Sequence, residues 1–113
     1  MRIKLVSLEP ASDGIHKYTV SLLVARKSGA RLKVVKFGAK DMMDYTLYYK
    51  KDGKEVADTH RDAYIKRHSG MGEDWNNPLT AGFWSRWLLW EKPTISEALR
   101  NIFAKYPGFE MDL

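Results

Sequence analysis

The hydrophobic period of this chain changes once along its length, and that change limits the fold more than any other feature. From Lys17 to Ala25 the apolar residues alternate, with Tyr18, Val20, Leu22 and Val24 on one side and Lys17, Thr19 and Ser21 on the other. From Lys54 to His68 the spacing is helical, with Val56, Ala57, His60, Ala63, Tyr64 and Arg67 recurring along one side. A chain that is strand-periodic first and helix-periodic afterwards predicts an α+β domain.

The flanking segments fill out that plan. Arg2–Leu8 reads as a first strand, ended by the loop-forming cluster Glu9–Gly14. A turn over Arg26–Ala30, with Gly29 free to take positive φ, leads into a third strand over Arg31–Phe37. In that strand Leu32 and Val34 are set against Lys33, Val35 and Phe37 make its end apolar on both faces, and Gly38 closes it. The first third is therefore expected to be a three-stranded antiparallel meander. The helix over Lys54–His68 stops at Ser69-Gly70-Met71-Gly72. After the Asp74–Pro78 loop, Thr80 caps a second helix running to about Trp90, stopped by Glu91-Lys92-Pro93. Thr94 and Glu97 form a capping box for a third helix, whose stripe is Ile95, Ala98, Leu99, Ile102, Phe103 and Tyr106, with Pro107-Gly108 as its end. The helical stripes point to packing on the sheet. No repeat or linker interrupts the sequence, so residues 1–113 are read as a single domain.

Several function classes fall away. With no cysteine there is no disulfide, thiolate metal site or cysteine nucleophile. Met1–Glu9 lacks the apolar run of a signal peptide, and apolar stretches such as Leu22–Ala25 and Trp87–Trp90 are far too short to span a membrane. No nucleophile elbow, phosphate-binding loop, dinucleotide fingerprint or zincin helix is present. His16, His60 and His68 are too scattered for a metal site, and Asp41, Asp44 and Asp52 are interleaved with Lys40, Lys50 and Lys51, which repel a cation. The expectation is a non-enzymatic protein without a cofactor; a deep pocket gathering Asp44, Tyr45 and His60 would argue otherwise.

Charge gives the positive signal. The net charge is +5, and residues 26–54 hold nine Lys/Arg against three Asp, whereas residues 55–113 hold seven against nine acids. Within the basic part Lys33, Lys36, Lys40, Lys50, Lys51 and Lys54 are interleaved with Tyr45, Tyr48 and Tyr49. Lysines track a phosphate backbone and tyrosines stack bases; the alternative is a solvated basic face. A second aromatic group, Phe83, Trp84, Trp87 and Trp90 with Trp75 upstream, suits the seam between a sheet and its helices better than base stacking. Arg86, among these rings, reads as a stacking partner for them.

One block of sequence also resembles a known family. Phe37-Gly38-Ala39-Lys40 leading to Asp44-Tyr45-Thr46, the basic segment Tyr64–His68, Trp75-Asn76-Asn77-Pro78, and above all the run Pro78–Trp90 closed by Lys92-Pro93-Thr94 are similar to small basic proteins of nucleocytoplasmic large DNA viruses. The resemblance covers residues 16–106. Family members carry glycine after the lysine, then an aromatic and a serine, where this chain has Asp41, Met42 and Met43. If that glycine serves a tight turn, the loop is built differently here. The resemblance implies a viral origin and a place in the virion or the host-cell interior rather than secretion; it carries no residue-by-residue mechanism.

Together these readings predict sequence-independent binding of DNA or RNA through a basic strand and loop surface comprising Lys36, Lys40, Lys50, Lys51, Lys54, Arg61, Tyr45 and Tyr48. The alternative is a minor structural or interaction module of the virion. That module would bind another viral protein through an exposed patch of Met42, Met43, Tyr48 or Tyr49. No membrane partner is expected, and the sequence leaves the oligomeric state open.

Overall fold

A computed structural model describes residues 2–106 and the backbone of 109–111; Pro107 and Gly108, read above as the end of the last helix, lie outside the described residues. Three long strands open the chain: β1 (Arg2–Pro10), β2 (His16–Arg26) and β3 (Gly29–Ala39). Four helical elements follow: α1 (Tyr45–Asp52), α2 (Lys54–His68), α3 (Ala81–Trp84), which runs into a π-helical turn over Ser85–Leu89, and α4 (Ile95–Lys105). A short strand β4 (Phe109–Met111) returns to the sheet. The strand order is β3-β2-β1-β4. The meander is antiparallel as expected, and β4, which sequence pattern did not reveal, pairs parallel to β1, Ile3 with Phe109 and Leu5 with Met111.

The register fixes which side of the sheet is buried. Val20 lies opposite Val35 and Tyr18 opposite Phe37, while Leu5 and Ile3 lie opposite Leu22 and Val24. Cross-strand partners share a face. Ile3, Leu5, Val20, Leu22, Val35 and Phe37 therefore form the floor of the core. Register also corrects the expectation for β3. Leu32 and Val34 point away from the core and are 61% and 47% exposed, because they pair with the outward-facing Leu23 and Ser21. Lys33 and Arg31 instead share the face of Val35, toward the hairpin end, and both are exposed.

Above that floor sit Phe83, Trp84, Leu88 and Leu89 from α3 and the π turn, and Ala98 and Ile102 from α4. The single straight helix expected over residues 80–90 is instead a capped α-turn that widens. Thr80 accepts from the N–H of Phe83, after which the chain passes into the wider i→i+5 turn over Ser85–Leu89. Large residues on nearly every side of this short element are thereby buried. The tryptophans serve the fold: Trp84 is fully buried and donates its indole N–H to Pro78 O (2.7 Å), and Trp87 donates to Trp75 O (2.7 Å). Arg86 stacks on Trp87, 4.4 Å from the ring centre, and pairs with Glu91 at 2.7 Å.

The helix pair α1–α2 continues from the end of β3, beyond the strand end where His16 pairs with Ala39. It is tied to the rest by Tyr64, stacked on Trp90 at 4.6 Å, and by the buried Tyr45. The molecule is elongated as a result, with extents of 46 × 27 × 26 Å.

Candidate nucleic-acid interface

The basic stretch does not form one continuous surface. β3 has eleven residues and is about 36 Å long, so it carries its two ends far apart. The β2–β3 hairpin lies at one end and the α1–α2 pair at the other.

At the α1–α2 end, the segment expected to be a loop is helical. Asp44 caps α1 by accepting from the N–H of Leu47 (3.0 Å), and Gly53 ends it at φ +90°. Lys50 and Lys51 occupy its last turn, where the helix dipole favours cations, and both are exposed. Lys40 is also exposed. Lys54 is engaged by Asp58, and Arg61 is held by Asp58 (3.3 Å) and by the carbonyl of Glu91 (3.1 Å). Mutual pairing lowers the Asp58 pKa, first through its Lys54 and Tyr45 hydrogen bonds, and raises that of Lys54. Arg61 also lies over the Tyr45 ring at 4.7 Å.

The tyrosines change role as well. Tyr45 is 3% exposed and donates its hydroxyl to Asp58 (2.8 Å), so it has no open ring face to offer a base. Tyr48 is half-buried and stacked on His60 at 3.8 Å with the rings nearly parallel. Of the residues named for the patch on α1 and its lead-in, Met42 is exposed, whereas Met43, Tyr48 and Tyr49 are half-buried. Asp44, Tyr45 and His60 do not meet in one pocket: a cleft at this end takes in Asp44 without the other two.

Lys36 stands between the two ends, on the open face opposite Thr19, with its ammonium 3.9 Å from the Asp13 carboxylate. Asp13 itself is held well below the ordinary carboxylate pKa, first by the backbone N–H of His16 and then by the His16 side chain.

The hairpin end holds a cluster of cations that the fold leaves unneutralised. A groove of about 560 Å³ lies between it and Leu79, lined by Arg26, Arg31 and Lys33 over Val24, and no acidic residue contributes to its walls. Among the described residues, none of these three cations has a side-chain hydrogen bond or ion pair. Lys27 in the adjoining turn is exposed too. Arg26 and Arg31 belong to the local charge excess, but the sequence reading does not single them out. The available signal is the turn itself, which folds residues 26 and 31–33 back beside one another. Such a site suits an anion with several oxygens, since guanidinium groups bind phosphates with paired N–H donors.

Comparison of the chain with protein-family models, with curated proteins and with solved structures gave no match.

Proposed function

We propose that the protein binds nucleic acid without sequence preference, through phosphate contacts made first by Arg26, Arg31 and Lys33 and extended along β3 toward Lys40, Lys50 and Lys51. The observation that carries this reading is the acid-free groove, in which three cations converge unpaired. Cations that fold stability already uses, Lys54 and Arg61 on Asp58, are left out of the contact set. Binding of this kind depends on counterion release and weakens steeply with salt.

Fluorescence anisotropy of labelled duplex DNA across a salt series tests the proposal. The slope of log affinity against log salt should be steep, and replacing Arg26, Arg31 and Lys33 with glutamate should abolish binding without unfolding the domain. The Lys50→Glu/Lys51→Glu pair should weaken binding and reduce the slope by about 0.9 for each phosphate that is no longer neutralised. Lys54→Gln should change it little. Undiminished affinity in the hairpin triple variant would sink the reading, and no binding at low salt would move a protein partner to first place.

A further inference from the structure

A second concavity, at the opposite end of β3 from the basic groove, combines features that point to a small ligand. It encloses about 480 Å³, within the usual range for small-molecule sites, where β3, the lead-in to α1, the end of α2 and the π turn converge. Its walls are largely apolar: Ile15, Met42 and Met43 line it beside the buried Phe37 and Trp90. Thioethers adapt to irregular shapes and make favourable contacts with aromatic rings. Ser85 and Leu89, the first and last residues of the π-helical turn, also line it, and turns of this kind are frequent at functional sites.

The fixed cations lining this cleft, Lys17, Lys36 and Arg67, outnumber its acids, Asp44 and Glu73. Lys17 and Asp44 form an almost buried ion pair at 2.6 Å, with side chains 10% and 5% exposed. This corrects the expectation that Lys17 lies on the solvent side of β2. His68 bonds Glu73 at 2.9 Å. Arg67 has no side-chain partner among the described residues, and Lys36 has only its distant contact with Asp13. A third feature is independent of charge. Tyr64, which lines the cleft, is 5% exposed, and its hydroxyl is buried without a hydrogen-bond partner. Such a group costs free energy unless something satisfies it.

We infer that this cleft binds a small aromatic anion of nucleoside-monophosphate size, its ring against the Ile15, Met42 and Met43 side chains, its anionic group at Arg67 and Lys36, and its ring polar atoms within reach of Tyr64. This site does not rest on the basic groove, and either can fail without the other.

Calorimetric titration of the full chain with adenosine monophosphate, and separately with inorganic phosphate, tests it. The nucleotide should bind saturably and phosphate alone at least about tenfold more weakly, since it leaves the apolar walls unused. Arg67→Gln should weaken nucleotide binding by about tenfold or more, since one charge-assisted hydrogen bond to the anion disappears. Tyr64→Phe separates a ligand role from a structural one. It should leave thermal stability equal or higher, because an unpartnered hydroxyl is removed, yet weaken the nucleotide by about threefold to tenfold. The Arg26→Glu/Arg31→Glu/Lys33→Glu variant should bind the nucleotide as the parent does. Absence of saturable binding at millimolar nucleotide overturns the inference. So does affinity unchanged in either cleft variant, or abolished in the hairpin variant.

Discussion

At the scale of single residues, Gly38 shows how a position can be fixed from two directions. Its φ is +75°, and a Cβ there would lie 2.8 Å from Cδ1 of the buried Leu89 and 3.2 Å from Cβ of Lys17. Gly53 also has positive φ, +90°, but nothing lies within 4 Å of its missing Cβ. The two glycines therefore separate backbone strain from crowding. Gly53→Ala should cost about 1–3 kcal/mol for the backbone alone, because φ +90° with ψ −179° is a region that only glycine populates readily. Gly38→Ala should cost more, because Leu89 sits in a close-packed core with little room to retreat. Urea denaturation of both variants checks this, and equal losses would mean that Leu89 relaxes freely away from the new Cβ. The sequence reads Gly38 as the end of the third strand, whereas β3 runs through it to Ala39. The contact of Gly38 with Leu89, 51 positions away, was not legible, because the π turn that places Leu89 there has no signature in hydrophobic period.

At the scale of elements, α1 has a legible sequence signature that competes with another. Asp44 before Tyr45, Tyr48 and Tyr49 at helical spacing, with Gly53 after Asp52, is the pattern of a short capped helix. As lysines alternating with tyrosines, the same segment looks like a loop. α4 carries its marks openly: Thr94 accepts from the N–H of Glu97 at 3.1 Å, although the returning bond from the Glu97 carboxylate is not made. β3 carries a different lesson. It is an edge strand of the sheet, with exposed Leu32 and Val34 on its open face, and edge strands invite pairing with other chains. Arg31, Lys33 and Lys36 along it oppose such pairing, in addition to any contact with phosphate. Replacing Arg31 and Lys33 with threonine should therefore promote self-association. Sedimentation velocity at rising concentration would detect it, and a variant that stays monomeric would show that the charges are not needed to protect this edge.

At the scale of the whole molecule, several tyrosines tie stability to alkaline pH. Burial, followed by the hydrogen bond to Asp58, raises Tyr45 from the ordinary value of 10.0 to about 12. Burial also raises Tyr64, Tyr18 and Tyr106. Between pH 10 and about 12 the folded protein keeps protons that the unfolded chain gives up, so stability is fully present below pH 10 and falls as pH rises through that window. Chemical denaturation at stepped pH should show this loss. The Tyr45→Phe variant should lose less across the same range, and an identical slope would exclude Tyr45 from the linkage.

The sequence by itself determined the class of fold, the three-stranded meander, the α2 helix to the residue and the capped start of α4. These depend on period, caps and breakers, which act over a few neighbouring positions. It also located the local excess of cations and favoured a core role for the tryptophans. Only the tertiary structure decided which face of β3 is buried, because that follows from register against β2. Only it separated the basic stretch into two ends of one strand, with Lys54 and Arg61 committed to Asp58 and with Arg26, Arg31 and Lys33 left unpaired. Charge is a property of each residue, but neutralisation depends on what the fold brings alongside it.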